Sequence, residues 1–381
     1  MKNKKVITLI CLLFIFIFCF SISNFVFFNN ESSCVKADTS ARAMCVMEKS
    51  SKRVLYSKNS SAKLPMASTT KIMTAITAIE NCPDLEKTFV ISPKSVGISG
   101  TSIYLRKGEE MNMKDLLYGL MLVSGNDASV AIGEQVAGSC KKFVELMNAT
   151  ALKIGAKNSH FDNTHGLDSK THYTTAQDLA LITSYALENP VFKEIVSTKN
   201  IKITNTAGKT RYLKNKNKLL TSLDGCCGVK TGFTDDAGRC LVSACERDEM
   251  TLVCVVLNCG PMFEESKTLL EEGFNNYKLI DLTKGYDYNN KIKVEEGKKD
   301  FIEIGTSGKF LYPLKNDEID RVDYVYNISS TIEAPIDKGE VVGEIKIFID
   351  NNLIFSEKVV TMETIRRNSV WAKLNDLIEN W

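Results

Sequence analysis

Three short segments, far apart in the chain but in a fixed order, constrain the fold more than any other feature: Ser68-Thr69-Thr70-Lys71, Ser124-Gly125-Asn126 and Lys230-Thr231-Gly232. Together they are the parts of an acyl-transfer site built on serine, with lysine rather than histidine as its base. For them to act as one unit, the backbone must bring segments between residues 68 and 232 into one cleft. Ser-x-x-Lys also occurs at Ser33, Ser60 and Ser139, so that pattern alone carries little. Singly, each segment reads as a helix with a surface lysine, a Gly-Asn turn or a polar strand end. The order, the single Lys-Thr-Gly and the local contexts make the set specific.

The chemistry asks for these residue types. Ser68 and Lys71, three apart at the start of a predicted helix, lie on one face within mutual reach. A serine hydroxyl is a poor nucleophile until a neighbour takes its proton. Lys71 can be that general base only when neutral, which burial and a second nearby cation, Lys230, would promote. Ser124 is placed to relay a proton to the leaving group. The Asn126 amide is suited to a substrate carbonyl, and Thr231 to a substrate carboxylate or its amide. Gly232 belongs to a strand edge along which an extended peptide could lie. The N–H groups of Ser68 and Phe233 are candidates for an oxyanion hole.

The surrounding pattern predicts a sheet carrying a helical half. Ala43–Tyr56 reads as a strand pair, and Ser68–Glu80, Asp115–Leu122, Asp127–Val136, Phe143–Ile154 and Ala176–Leu187 read as helices. From about Val229 the pattern turns to strands, Cys240–Cys245 and Thr251–Asn258, and Ser266–Tyr277 closes the domain as a helix. Past Lys284–Asn290 no helical period appears until the tail. Lys291–Val294, Phe301–Ile304, Val322–Ile328, Val341–Ile349 and Leu353–Val360 read as short strands of a second domain. The tail places Val370, Trp371, Leu374, Leu377, Ile378 and Trp381 at helical spacing beside Arg366, Arg367 and Lys373. That suits a helix lying in a membrane interface, or a helix packed on its own domain or on a partner.

The other end reads as an export signal. Lys2, Lys4 and Lys5 precede an apolar run from Val6 to about Phe28, and Val35-Lys36-Ala37 offers small residues before Asp38. Cleavage there is favoured over an uncleaved anchor. Without residues 1–37, Lys plus Arg falls from 48 to 44 and Asp plus Glu from 46 to 45, near −1. Such a balance gives no electrostatic case for nucleic acid. Nine cysteines would remain: Cys45, Cys82, Cys140, Cys226, Cys227, Cys240, Cys245, Cys254 and Cys259. Exported proteins usually pair their thiols, yet nine cannot all pair. The expectation is small buried hydrophobes in a chain from a reducing exterior. A zinc site from Cys226, Cys227, Cys240 and Cys245 is the less favoured reading, lacking the usual knuckle spacing.

At these residues the chain resembles the serine-type D-alanyl-D-alanine carboxypeptidases, the low-molecular-weight penicillin-binding proteins. The likeness runs through Pro65–Thr74, Leu116–Ala128, His165-Gly166-Leu167-Asp168, Gly228–Thr234 with Ala237-Gly238, and Ala334–Gly343. It implies an α/β (α+β) penicillin-recognising catalytic domain of the transpeptidase and β-lactamase type, then a small all-β domain and a C-terminal amphipathic helix. The expected layout is a signal peptide over 1–37, the catalytic domain over 38–284, a β-sandwich domain over 285–362 and a membrane anchor over 363–381. The resemblance also implies loss of the terminal D-alanine from peptidoglycan stem pentapeptides through a Ser68 acyl-enzyme, with β-lactams acylating the same serine. No cofactor or metal is required, and the protein would work at the extracytoplasmic face of the membrane or in the wall. One departure stands out: where some members carry an arginine after the last core strand, Gly260–Ser266 has no basic residue. An endopeptidase is a close alternative. A β-lactamase is disfavoured by Ser-Gly-Asn and by the lack of a Glu-x-x-Leu-Asn segment, and a wall-binding protein without activity by the filled catalytic positions.

Overall fold

The computed structural model describes residues 35–36, 39–306 and 308–368. Most of the predicted export segment and residues 369–381 of the predicted anchor helix lie outside them. Among the described residues no helix is long and apolar enough to cross a membrane.

The chain divides into two compact units. The first, residues 35–287 with 308–321, is built on a six-stranded sheet. Its strands are β1 (Val35–Lys36), β2 (Ala43–Glu48), β3 (Val54–Lys58), β4 (Cys226–Thr234), β5 (Gly238–Arg247) and β6 (Met250–Leu257), in the order β1-β3-β2-β6-β5-β4. The central strands are continuous apolar runs because both faces are covered. Successive side chains point to opposite faces, so Cys45, Val242, Val253 and Val255 enter one core while Val46, Leu241, Leu252 and Cys254 enter the other.

The larger core lies under the helices α1 (Lys71–Asn81), α2 (Met113–Leu122), α3 (Asn126–Ala137), α4 (Cys140–Ile154), α5 (Ala176–Ala186) and α6 (Pro190–Ser197); the smaller lies under α7 (Met262–Asn276). Their starts follow local chemistry. The side chains of Asn112, Ser139, Thr175 and Asn189 cap α2, α4, α5 and α6, each accepting an N–H from the first turn. Left-handed Gly138 and Gly155 stop α3 and α4.

Two hairpins were not visible as strands in the sequence: Thr88–Val90 with Glu110–Asn112, and Asn200–Thr204 with Thr210–Lys214. Their short, half-exposed strands lack a clean apolar alternation. The segment Leu311–Leu314 also escaped notice. It pairs with Lys278–Asp281 and belongs to the first unit, so the chain enters the second unit twice.

That second unit, residues 288–306 and 322–368, is all β. Its strands are β7 (Lys291–Glu295), β8 (Phe301–Gly305), β9 (Val322–Ile328), β10 (Thr331–Glu333), β11 (Val341–Ile349) and β12 (Asn352–Thr361), in the order β9-β11-β12-β8-β7-β10. Here the alternation shows: Ile292, Val294, Ile302, Ile304, Ile345 and Ile347 are buried, and their neighbours along each strand are exposed or half-buried. The anchor was expected to begin by Arg366, but the chain is still extended there. Ile365 bridges Ile336, Arg367 bridges Gly297, and Asn368 N–H donates to Glu296 O.

Candidate active site

Ser68 does not sit on the α-helix itself. It lies in a 3-10 turn, Ala67–Thr70, that leads into Lys71, the first residue of α1. The turn is held by its own threonines: Thr69 Oγ1 donates to Met66 O at 2.6 Å and Thr70 Oγ1 to Ala67 O at 2.8 Å. Short hydroxyl side chains offer the backbone this alternative to helical bonding. Ala67 takes the left-handed conformation, φ 49°, which costs a non-glycine residue energy and marks a shaped turn. Gly166 makes it possible from outside, because a Cβ there would lie 1.9 Å from Ala67 O.

Behind the turn, Asp162 N–H donates to His172 Nδ1 at 3.0 Å, so the ring proton is on Nε2, which donates to Thr70 Oγ1 at 2.8 Å. Burial holds His172 neutral, its pKa pushed down to about 4.

Lys71 is fully buried. Its Nζ donates to Ser68 Oγ at 3.0 Å, to Asn126 Oδ1 at 2.8 Å and to His165 O at 2.6 Å. None of these acceptors is a carboxylate. Burial is the largest influence on the amine and drives its pKa well below the usual ammonium value; Lys230 and then Lys216 push the same way, and Asp127 opposes them. Lys230 is also buried and is pushed down to about 7 by burial, with Lys216 adding to it. Its Nζ donates to Thr231 O at 2.9 Å. Three lysines therefore share this region, and the nearby carboxylate of Asp127 is spent elsewhere, accepting from Ser102 Oγ and from the N–H groups of Ile103 and Leu105.

The second motif is placed by that loop. Asn126 N–H donates to Thr101 O at 2.7 Å, and Asn126 Nδ2 to Ser99 O at 2.6 Å. The amide expected to hold a substrate carbonyl thus already grips Lys71 through its oxygen and the 99–101 segment through its nitrogen. Ser124 is left-handed, φ 70°, and its buried Oγ makes no hydrogen bond among the described residues.

Gly232 packs edge-on against the nucleophile turn, where a Cβ would lie 3.1 Å from both Ser68 N and Met66 O. Phe233 follows it, 62% exposed, on β4, the last strand of the sheet order. Asp168 Oδ1 accepts from Thr234 Oγ1 at 2.9 Å, tying the His165–Asp168 loop to the end of β4.

All eight residues singled out from the sequence thus fall on three segments that the sheet and helices bring together. Sequence reasoning missed Lys216 and the buried pair Glu109–Arg211. Lys216 lies in a loop whose place is fixed by backbone bonds: its N–H donates to Leu122 O, and Asn217 Nδ2 to Gly228 O. Arg211 holds Ile103 O at 2.7 Å and Tyr104 O at 3.0 Å while bonded to Glu109. A lone lysine between two asparagines, and a Glu and Arg a hundred positions apart, carry no short-range signal.

A family model described as D-alanyl-D-alanine carboxypeptidase matches residues 30–260, and one described as penicillin-binding protein 5, C-terminal domain, matches residues 274–367. D-alanyl-D-alanine carboxypeptidase DacF of Bacillus subtilis is 31% identical over 352 residues, covering 90% of each chain. DacC of Escherichia coli is 30% identical over 367 residues, covering 92% of this chain and 90% of its own. Penicillin binding protein 5 from Haemophilus influenzae superposes with a TM-score of 0.73 at 26% identity, over 87% of this chain and 99% of that one. The Streptomyces K15 DD-transpeptidase superposes with a TM-score of 0.60 at 31% identity, over 63% of this chain and 99% of its own.

Proposed function

The chain belongs to the D-alanyl-D-alanine carboxypeptidase family, and from that premise we propose that it removes the terminal D-alanine of peptidoglycan stem pentapeptides through an acyl-enzyme on Ser68. It is a serine peptidase of the penicillin-recognising fold with a C-terminal all-β domain, in a family that acts on peptidoglycan outside the cytoplasm and is acylated by β-lactams. The observation that carries the residue assignment is the buried Lys71 Nζ, 3.0 Å from Ser68 Oγ, in surroundings that favour its neutral form.

In this reading neutral Lys71 takes the Ser68 proton as Oγ attacks the carbonyl carbon of the penultimate D-alanine. The oxyanion is held by the N–H groups of Ser68 and Phe233, a pairing supported by the close approach of Gly232 to the turn. Thr231, Lys230 and Lys216 receive the substrate carboxylate; with the nearby Asp127 carboxylate committed to Ser102, Ile103 and Leu105, the two lysines leave room for an anion. Lys71 returns the proton to the departing amine through Ser124, and water then cleaves the ester. Asn126 positions Lys71.

The protein would be exported and held at the outer membrane face by residues after Asn368, where Trp371 and Trp381 flank an apolar stripe. Intact-mass analysis after benzylpenicillin, beside assay of D-alanine release from a stem pentapeptide, tests the reaction. The proposal expects one adduct on the peptide holding Ser68, together with D-alanine. Rapid penicillin turnover, or an adduct without D-alanine release, would overturn it.

A further inference from the structure

The nine cysteines of the described residues are free thiols, and packing accounts for most of them. Two stand apart. Cys226, first residue of β4, and Cys245 of β5 lie directly opposite each other in the antiparallel ladder. Among the described residues no other two cysteines are in register across neighbouring strands: Cys240 faces Gly232, Cys254 faces Ser243 and Val46, and Cys45 faces Val255 and Ser57.

The position is a close one. Glu246 N–H donates to Gly225 O, while Cys226 N–H turns back to Leu223 O, so Cys226 and Cys245 form a non-hydrogen-bonded pair. Such pairs bring Cα atoms to about 4.5 Å, inside the span a disulfide needs. The two thiols also influence each other's titration, Cys245 lowering the pKa of Cys226 and Cys226 raising that of Cys245. Cys226 is half-buried and Cys245 fully buried, so Cys226 is the more accessible of the two. Cys227 is excluded by the alternation of the strand: it belongs to the core on the opposite face and donates to Ala244 O.

We propose that Cys226 and Cys245 are a site of reversible covalent modification, forming an intramolecular disulfide when the protein meets a small-molecule disulfide. The Cys226 thiolate attacks one sulfur of the reagent and releases one equivalent as thiolate. The Cys245 sulfur, giving its proton to solvent, then attacks Cys226 Sγ and expels the second equivalent. The two cysteines lose two electrons and two protons in all, and the reagent is reduced to two thiols. The bridge ties the start of β4 to β5 four residues before Lys230, so it braces the strand carrying the third motif without entering the cleft.

The test uses the full chain, kept reduced and then exposed to oxidised glutathione under native conditions. With Cys227→Ser and Cys240→Ser, the tryptic peptides 219–230 and 240–247 each hold one thiol. The expected result is a linked pair of these peptides and a Tm raised by roughly 5–10 °C, with penicillin acylation of Ser68 changed less than twofold. In Cys245→Ser a glutathione adduct should persist on Cys226. Should the double variant fold poorly, tandem fragmentation of the unsubstituted chain locates the link. A lasting glutathione adduct on Cys226 with Cys245 present, a link through Cys227, or no link in protein that still binds penicillin would each overturn the proposal.

Discussion

The catalytic unit buries cations in two ways. Arg211 and Arg53 are matched by carboxylates: Arg211 takes Glu109 in a two-pronged pair at 2.6 and 2.7 Å, and Arg53 is clamped by Glu318. Lys71 and Lys230 are as deeply buried, yet their ammonium groups meet a hydroxyl, an amide oxygen and carbonyls. A matched guanidinium keeps its charge and fastens backbone, as Arg211 does at Ile103 and Tyr104. An unmatched amine surrounded by like charge gives up its proton. In the proposed reading the contrast separates residues that hold the site from those that meet the substrate: a buried cation beside a carboxylate is structural, and one without is left to act as a base, as Lys71 would, or to meet an anion, as Lys230 would.

Substitutions can break that contrast. Ser68→Ala should abolish covalent penicillin labelling altogether, read by intact mass. Lys71→Arg keeps a long basic side chain but cannot lose its proton, so acylation should fall by ~10²–10⁴-fold in stopped-flow or quench assays; near-normal acylation would remove Lys71 as base. Glu109→Gln attacks the other side of the comparison. It strands Arg211 without its partner and should cost about 3–5 kcal/mol in denaturant unfolding, while the molecules that remain folded still acylate Ser68. His172→Gln should blunt acid sensitivity. The native ring is held neutral with a pKa near 4, below the ordinary 6.5, so its contribution is complete above about pH 6.5 and fades as pH falls toward 4, by about 3 kcal/mol. Pulse proteolysis across that range should show a shallower loss in the variant. Removing residues 369–381 should leave acylation unchanged and free the protein from sedimenting vesicles; continued sedimentation would place the anchor elsewhere.

Much of this contrast could be read in the sequence, and the limits are physical. The lysine base and its second cation were legible because Ser-x-x-Lys and Lys-Thr-Gly are short and local, and helices with apolar periods such as 71–81 announce themselves. β5 and β6 were readable as apolar runs and β2 with β3 as a strand pair of mixed pattern, and short strands without a helical period marked the second unit. The matched pairs were not legible, because Arg53 and Arg211 find their carboxylates across long stretches of chain. The left-handed Ala67 and Ser124 gave no sign, since neither residue type favours that conformation. The bond from Asn126 to Lys71 was not legible beside its expected substrate contact, because that reach depends on how α1 and α3 cross. The return of 308–321 to the first unit joins a four-residue strand pairing with Lys278–Asp281, too short a period to recognise, to the distant Arg53–Glu318 pair.

The most direct test of the central claim is the pH dependence of the second-order rate constant for benzylpenicillin acylation of Ser68. If Lys71 is a neutral base at physiological pH, the rate should rise with a titration well below the ordinary ammonium value of about 10.4 and then level off. Lys230→Met, by removing a like charge, should move that rise to higher pH. A rate that keeps climbing about tenfold per unit through pH 9 and 10 would mean that Lys71 stays charged, and would contradict the account.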